Sequence, residues 1–196
     1  SRVLVRDARS ENLWFAAAPY KGGRDITADE GRGFGRVLCG EAAYDEPYED
    51  VIFVTPAVRR DREGLLKMEE RGVMLSSDAE ICTELAKIPI FAVSGSDGKS
   101  TVTYLTSKLT EKELHSPPAG NFGLPLVSLI ENGKCDGAVV ELSSFQLQYT
   151  EPHLSRALIT NVTENHLNWH KDYGEYVLAK RNIFKNASLR AITLDT

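Results

Sequence analysis

Residues 88–101, IPIFAVSGSDGKST, decide the fold class of this chain. An apolar run ends in a turn with two glycines, Gly95 and Gly98, and apolar residues then recur with helical spacing from Val102 to Leu109. A strand, a glycine-rich turn and a helix in this order are typical of loops that bind phosphate through backbone N–H groups. The sequence therefore predicts an α/β fold with a nucleotide site at the end of this strand.

The glycine-rich loop also carries the side chains that phosphates and magnesium require. Lys99 can neutralise the β- and γ-phosphates, and the Ser100 hydroxyl is a hard oxygen ligand for Mg²⁺. The full P-loop pattern needs a glycine at the position of Val93, so this loop is a short form, and an accidental turn before a helix stays open as the alternative. The residues predicted to bind the nucleotide are Gly95, Ser96, Asp97, Gly98, Lys99, Ser100 and Thr101.

Composition narrows the function classes. The chain of 196 residues is 42% hydrophobic with a net charge of −5, as in ordinary globular domains. No stretch is dense in basic residues, so no nucleic-acid partner is predicted. The three cysteines lack the CxxC spacing of zinc sites, and they favour the reducing cytoplasm. No apolar run approaches the roughly 18 residues of a membrane-spanning helix, so no membrane partner is predicted either.

Strands alternate with helices on both sides of a predicted domain boundary near Lys87. In the first series, strands are expected at 3–5, 51–54 and 73–75, a helix around 65–69 and a loop at 20–36. In the second series, strands are expected at 88–93, 137–142, 157–162 and 191–194, and helices at 99–109 and 174–187. Both ends of the chain fall inside expected strands, which predicts a piece of a longer protein.

Two polar residues stand at the ends of expected strands. Glu141 interrupts an apolar run at its carboxyl end, and His166 follows the strand at 157–162. Ligands bind at the carboxyl edge of open parallel sheets, and a carboxylate beside a phosphate loop is a natural Mg²⁺ ligand. A solvated ion pair for Glu141 and a structural role for His166 remain the alternatives.

Lys180 occupies an unusual place on the expected helix 174–187. It lies in line with the apolar residues Tyr176 and Ile183. A lysine on the buried side is unfavourable unless its stem snorkels, its pKa falls or it is chemically modified. A sheltered neutral amine can take up CO₂ to form a carbamate that binds metal. Snorkelling and carbamylation both stay open from the residues alone.

Four segments in order resemble the motifs of the Mur ligase family, the ATP-dependent amide-forming enzymes of peptidoglycan synthesis. They are 95–101, 120–125, 141–147 and 161–167. The third, ELSSFQL, resembles the branch of the family that adds D-glutamate. Folate-polyglutamating relatives share the loop but lack that string. The resemblance implies an incomplete Rossmann-like UDP-substrate-binding domain at 1–87 and part of a P-loop ATPase-like, ATP-binding domain at 88–196.

The resemblance also implies roles for single residues, with ATP and Mg²⁺ as cofactors. The implied catalytic residues are Lys99, His166 and Lys180, the last one carbamylated. The implied metal ligands are Ser100, Glu141, His166 and Lys180. The implied substrate-binding residues are Asp7, Arg9, Thr55, Pro56, Asn121 and Ser143. Two departures from the family pattern are Asn165, where Asp is usual, and Ala57, where a Gly is expected beside the uridine nucleotide.

The activity implied is the addition of D-glutamate to UDP-N-acetylmuramoyl-L-alanine through an acyl phosphate. The family's first strand and its glycine-rich turn are expected before residue 1, and the D-glutamate-binding domain after residue 196. We therefore expect this chain alone to be inactive. The alternatives are a non-catalytic nucleotide-binding or interaction protein derived from a truncated ligase, and a P-loop kinase or small NTPase, against which ELSSFQL argues.

Overall fold

The protein forms two compact units, Ser1–Ser76 and Ser77–Thr196. The computed structural model describes residues 5–6, 13–17, 34–39, 51–56, 58–130 and 135–193. The sequence placed the boundary near Lys87, whereas the structure assigns the preceding helix to the second unit. The reason is packing, because Ala79 and Cys82 on this helix belong to the apolar core of the second unit.

The first unit contains two small sheets. Strand β2 (Leu13–Ala17) pairs antiparallel with β1 (Val5–Arg6) and parallel with β3 (Phe34–Cys39). In the second sheet, β4 (Val51–Phe53) pairs parallel with β5 (Met74–Ser76), and α1 (Glu63–Glu70) connects them. The core between this helix and its sheet consists of Val54, Leu65, Met68, Val73 and Leu75. The strand β3 begins within the stretch 20–36 that the sequence predicted as loop.

The second unit is a five-stranded, fully parallel sheet with helices in its crossovers. The order across the sheet is β10-β9-β6-β8-β7. Its strands are β6 (Ile90–Ser94), β7 (Pro118–Gly120), β8 (Ala138–Glu141), β9 (His153–Ile159) and β10 (Asn186–Ile192). Its α-helices are α2 (Asp78–Leu85), α3 (Lys99–Thr110), α4 (Ser144–Leu147) and α5 (Tyr173–Arg181). Short 3₁₀ turns span Leu126–Ile130 and Asn182–Phe184. The predicted α/β class is confirmed.

The order of the central strands explains why polar residues lie at one edge of the sheet. Every residue of β8 is buried, as expected for a parallel strand covered on both faces. The chain leaves β6 toward β7 and β8 on one side, while β9 lies on the other side. Such a switch in strand order opens a crevice at the carboxyl ends, where ligands bind in α/β sheets. The loops after β6, β8 and β9 all lead away from this edge.

Several predicted elements differ in the structure, among them the strand expected at 191–194, which spans Asn186–Ile192. The helix expected to reach Ala187 ends at Arg181, and Ala187 instead belongs to β10. The strand expected at 157–162 spans His153–Ile159. Helix α3 buries its small residues Thr103 and Ser107 and leaves the apolar Leu105 and Leu109 exposed. Small side chains let this helix approach the sheet closely, so its apolar spacing does not mark the buried face.

Within the described residues, no helix has both the length and the apolar content needed to cross a membrane.

Candidate functional site

The glycine-rich turn connects β6 to α3, as the sequence predicted. Gly95 has φ +150°, and a Cβ there would lie 1.9 Å from Thr160 Oγ1. Gly98 is the N-cap of α3 with φ +76°, in the left-handed region. The first hydrogen bond within the helix runs from Val102 N to the Gly98 carbonyl, so the three preceding amides have no partner inside the helix. The turn therefore presents amide donors and a helix N-terminus at the sheet edge.

Asn161 holds this turn in place, a role that the sequence did not indicate. Its carbonyl accepts from Ser96 N at 3.0 Å, and its Oδ1 accepts from Asp97 N at 2.9 Å. Its Nδ2 donates to the Asp97 carbonyl at 3.1 Å. Thr160 Oγ1 donates to the same carbonyl at 2.7 Å. The two residues after β9 thus fix the glycine-rich turn. The local sequence pattern gives no sign of these hydrogen bonds.

Lys99 folds back over the turn. Its ammonium donates to the carbonyl oxygens of Gly95, at 3.0 Å, and Ser96, at 2.9 Å. These are hydrogen bonds to neutral acceptors, so the full positive charge remains for an anion. A phosphate that approaches the helix N-terminus meets this charge together with the amides of the turn.

Glu141 is the centre of the site. Its side chain is only 1% exposed, and its Oε2 accepts from Ser100 Oγ at 2.7 Å. Its Oε1 accepts from Asn121 Nδ2, also at 2.7 Å. Residue 120 must be glycine, because a Cβ there would lie 2.4 Å from the Glu141 carbonyl. One buried carboxylate therefore connects the glycine-rich turn to the loop after β7, and the exposed ion pair that the sequence left open does not exist.

Lys180 points into the protein. It is 1% exposed, and its Nζ donates to the Gly95 carbonyl at 2.6 Å and lies 4.6 Å from the centre of the Tyr176 ring. Burial, and secondarily the charge of Lys99, lower the pKa of Lys180 to about 7, although Asp97 and Glu141 act in the opposite direction. The snorkelling alternative is wrong, because the ammonium ends on a buried carbonyl.

The resemblance implies that Lys180 acts as a metal ligand together with Glu141 and His166. After desolvation, the positive charge of Lys180 lowers the pKa of His166. The negative charge of Glu141 in turn raises the pKa of Lys180. Its hydrogen bond, however, goes to Gly95. The Ser143 hydroxyl instead caps α4, where it accepts from Gln146 N at 3.2 Å.

His166 lies in the loop after β9 and is exposed. Its φ of 55° places it in the left-handed region, which is uncommon for residues other than glycine. Its ring packs edge-on against Phe145, with 4.9 Å between ring centres. Desolvation, followed by the positive charges of Lys180 and Lys99, lowers the pKa of His166. The neutral imidazole, whose ring nitrogen can bind a metal or accept a proton, is thereby favoured.

A magnesium ion fits the donors present. Among the described residues, no three His, Cys, Asp or Glu side chains form a group that could hold a metal ion. Mg²⁺ seldom needs such a group, since it keeps several waters and takes one or two carboxylates together with substrate phosphates. The hydroxyl of Ser100 and the carboxylate of Glu141, already in contact, are hard oxygen donors of this kind.

The other predicted site residues lie in the first unit. Thr55 and Pro56 follow β4 and are half-buried, and the Thr55 carbonyl accepts from Val58 N at 2.9 Å. Asp7, Arg9 and the departure Ala57 lie outside the described residues.

Fold and site together define an α/β domain with a glycine-rich turn at the carboxyl edge of a parallel sheet. Residues 93–194 match the Mur ligase middle domain. The chain therefore belongs to the Mur ligase family, a family of ATP-dependent amide-bond ligases.

Two relatives show how much of a ligase the chain represents. It is 44% identical over 138 residues to the UDP-N-acetylmuramoylalanine–D-glutamate ligase of Clostridium perfringens strain 13. The aligned segment covers 69% of this chain and 30% of that protein. It is 45% identical over 141 residues to the ligase of the same name from Clostridium botulinum strain Hall, with coverages of 71% and 31%. The chain spans less than a third of the length of these relatives.

Solved structures of MurF are also similar. MurF from Acinetobacter baumannii aligns with a TM-score of 0.45 and 18% identity, over 61% of this chain and 31% of that one. MurF from Thermotoga maritima, in complex with ADP, aligns with a TM-score of 0.46 and 15% identity, over 75% of this chain and 43% of that one.

Proposed function

We propose that this chain is the nucleotide-binding part of a cytoplasmic ligase that uses ATP to add D-glutamate to UDP-N-acetylmuramoyl-L-alanine in peptidoglycan synthesis. The observation that carries the nucleotide site is the buried Glu141 carboxylate bonded to Ser100. The choice of substrates rests on the 44–45% identity to D-glutamate ligases. Residues 1–87 would bind the UDP substrate and residues 88–196 the ATP.

The glycine-rich turn and Lys99 bind the ATP phosphates in this proposal. Within the turn 95–101, the amides of residues 99–101 have no acceptor inside the helix and face the phosphates, and Lys99 moves from its two loop carbonyls onto the β- and γ-phosphates. Ser100 and Glu141 hold the magnesium ion, which neutralises charge on the phosphates when it is bound. Thr101 lies beside them in the first turn of α3.

Lys180 and His166 are the two further metal ligands in this proposal. At a pKa of about 7, a large share of Lys180 carries a neutral, nucleophilic amine near neutral pH. The neutral amine attacks the carbon of CO₂ and loses a proton to solvent, which gives a carbamate and so replaces a cation by an anion beside Glu141. His166, whose neutral form is favoured by desolvation first and also by the charge of Lys99, offers a ring nitrogen as the further ligand.

The reaction proposed is the one that membership of the ligase family implies. A carboxylate oxygen of the muramoyl-alanine substrate attacks the γ-phosphorus of ATP, the bond to the β-phosphate oxygen breaks, and ADP leaves. The amine of D-glutamate then attacks the acyl carbon, phosphate leaves, and the amide forms after loss of a proton. Lys99 stabilises the charge that develops on the transferred phosphoryl group.

Asn121 and Ser143 are the proposed contacts of the muramoyl-alanine substrate in the second unit. Asn121 is exposed and already oriented by Glu141, with 2.7 Å from its Nδ2 to the carboxylate. Ser143 keeps only part of its hydrogen-bonding capacity free of the α4 cap. Asp7, Arg9, Thr55 and Pro56 are the proposed contacts of the uridine nucleotide.

Nucleotide binding tests the first half of the proposal. Calorimetry with Mg²⁺ and ATP on the purified chain should detect binding that Lys99→Ala weakens at least about tenfold, the loss of roughly one charge-assisted contact. The control is Lys112→Ala, which changes an exposed lysine just beyond the end of α3. Equal affinity of both variants would contradict the proposed phosphate site.

A chimaera tests the second half. The matching 138-residue segment of the C. perfringens ligase is replaced by the corresponding residues of this chain. Amide formation is then measured with UDP-N-acetylmuramoyl-L-alanine and D-glutamate. Product that disappears with Lys99→Ala supports the ligase. A folded chimaera that binds ATP and forms no product favours the non-catalytic nucleotide-binding protein, and ATP hydrolysis without either substrate favours the NTPase.

A further inference from the structure

The loop that carries His166 is closed by its own backbone. The carbonyl of His166 accepts from Trp169 N at 2.9 Å and from His170 N at 3.0 Å. These bonds form a single turn whose first residue has the left-handed φ of 55°. A residue with a Cβ adopts this conformation at a cost, so the surrounding structure must hold it there.

Two side chains fasten this turn to α4. Trp169 Nε1 donates to Gln148 Oε1 at 2.8 Å, at the end of the helix. His170 is 1% exposed, and its Nε2 lies 3.0 Å from Ser144 Oγ, in the first turn of the helix. The loop is thus attached at both ends of the same short helix.

The proton of His170 can be assigned from its surroundings. Its Nδ1 lies 3.7 Å from Glu175 Oε2, and a carboxylate on that side favours a proton on Nδ1. The Nε2 atom then accepts a hydrogen bond from the Ser144 hydroxyl, which is 2% exposed. A buried imidazole that is hydrogen-bonded through Nε2 and faces a carboxylate on its other side links α4 to the start of α5.

The ring of Phe145 is the surface on which the turn rests. Its centre lies 4.9 Å from that of His166, 4.8 Å from that of Trp169 and 5.8 Å from that of His170. Phe145 itself belongs to α4, between the two attachment points. Any shift of the turn relative to α4 therefore changes the position of the His166 ring.

We propose that Trp169 and His170 are positioning residues that hold His166 in its left-handed conformation against Phe145 by fastening the loop to α4. They act through His166 and touch no substrate. The geometric part of this inference is independent of the reaction, whereas its consequence for metal binding rests on the proposed function.

Amide hydrogen exchange of the 196-residue chain tests the geometry. Ser144→Ala removes the hydroxyl and leaves the His170 ring, while His170→Phe keeps a ring and removes the hydrogen bond. Both should speed exchange of the Trp169 and His170 amides about three- to tenfold, the effect of one lost hydrogen bond on a local opening. Trp169→Phe should act similarly on the same amides.

Ser107→Ala is the matched control. It also removes a buried serine hydroxyl, which donates to the Ser116 carbonyl at 2.8 Å far along the chain from the loop. It should change exchange of the two loop amides less than about twofold. Unchanged exchange in Ser144→Ala overturns the proposal, and this variant decides the question if His170→Phe fails to fold.

A paramagnetic probe separates the geometry from the function. Mn²⁺ with ATP is added, and broadening of the His166 ring resonances is followed by NMR. Broadening in the original chain that Ser144→Ala reduces supports the positioning role, whereas equal broadening in both overturns it. If the original chain shows no broadening, the metal role of His166 in the proposed function fails, and the exchange rates alone decide the inference.

Discussion

The ends of β6 and β8 differ from the segment after β9 in how they bring polar groups to the same sheet edge. Glu141 is buried, and two hydrogen bonds of 2.7 Å fix its carboxylate. His166 is exposed, and its backbone adopts a left-handed conformation held by neighbouring residues. The first region is preformed by direct side-chain contacts, and the second depends on a turn that lies on α4. Substitutions should therefore act on stability in the first region and mainly on ligand binding in the second.

Gly95→Ala should have the largest effect on stability. The new Cβ would meet Thr160 Oγ1 at 1.9 Å and the Thr160 backbone nitrogen at 3.2 Å. We expect a loss of about 3 kcal/mol in the free energy of unfolding, measured with urea. At Gly98 nothing lies within 4 Å of a Cβ, so Gly98→Ala should cost only the left-handed strain of about 1–2 kcal/mol. Equal losses for the two variants would contradict the crowding argument.

Glu141→Gln should come next. The Gln carbonyl can still accept from Asn121, and its NH₂ can donate to the Ser100 hydroxyl once that hydroxyl turns, so two charge-assisted hydrogen bonds become weaker neutral ones. The expected loss is about 2 kcal/mol. Glu151→Gln, which breaks an exposed ion pair with Lys185, is the control and should cost less than about 1 kcal/mol. A loss at Glu141 no larger than at Glu151 would mean that the first region is not preformed.

Lys180 gives the first region a pH dependence. Because its pKa is lowered to about 7 in the folded protein from 10.5, the unfolded chain binds more protons between these values. The free energy of unfolding should therefore rise with pH from about 7 towards 10, by at most about 1.4 kcal/mol per pH unit. This contribution is lost as the pH falls through that range and is absent below about pH 7. Lys180→Met should flatten the rise, and Lys112→Met should leave it in place. Urea midpoints at pH 7 and 9 measure both.

His166→Gly should have the smallest effect on stability. Glycine adopts a φ of 55° without strain but is more flexible when unfolded, so we expect a change of less than about 1 kcal/mol in either direction. Binding of Mg²⁺ and ATP should nevertheless weaken, because the imidazole is gone. A loss of stability as large as that of Glu141→Gln would show that the two regions do not differ as described.

Local sequence patterns were sufficient to predict those candidate site residues that are marked by their position along a strand or a helix. The strand, the glycine turn and the helix at 88–109 could be predicted because backbone conformation there follows from glycine and apolar spacing. Glu141 at the end of an apolar strand and Lys180 on an apolar stripe were recognisable because each breaks a hydrophobic pattern. Their burial in the structure agrees with that reading.

Long-range bonds account for what the sequence did not indicate. Asn161 reaches the glycine-rich turn across 64 positions, and His170 reaches Ser144 across 26. The end of α5 was missed for a similar reason. Apolar spacing continues to Ala187, but Asn182 Nδ2 donates to the Leu147 carbonyl at 2.8 Å, and the chain turns there into β10. Such contacts depend on the fold and leave no periodic signal.

The carbonyl of Gly95 serves two lysines at once. A carbonyl oxygen has two lone pairs, and here Lys99 occupies one and Lys180 the other. When Lys99 moves away to meet an anion, this oxygen keeps Lys180 as a donor, and only the Ser96 carbonyl gives up its hydrogen bond. Lys180 therefore keeps the buried Gly95 carbonyl hydrogen-bonded whether or not Lys99 remains in contact with it.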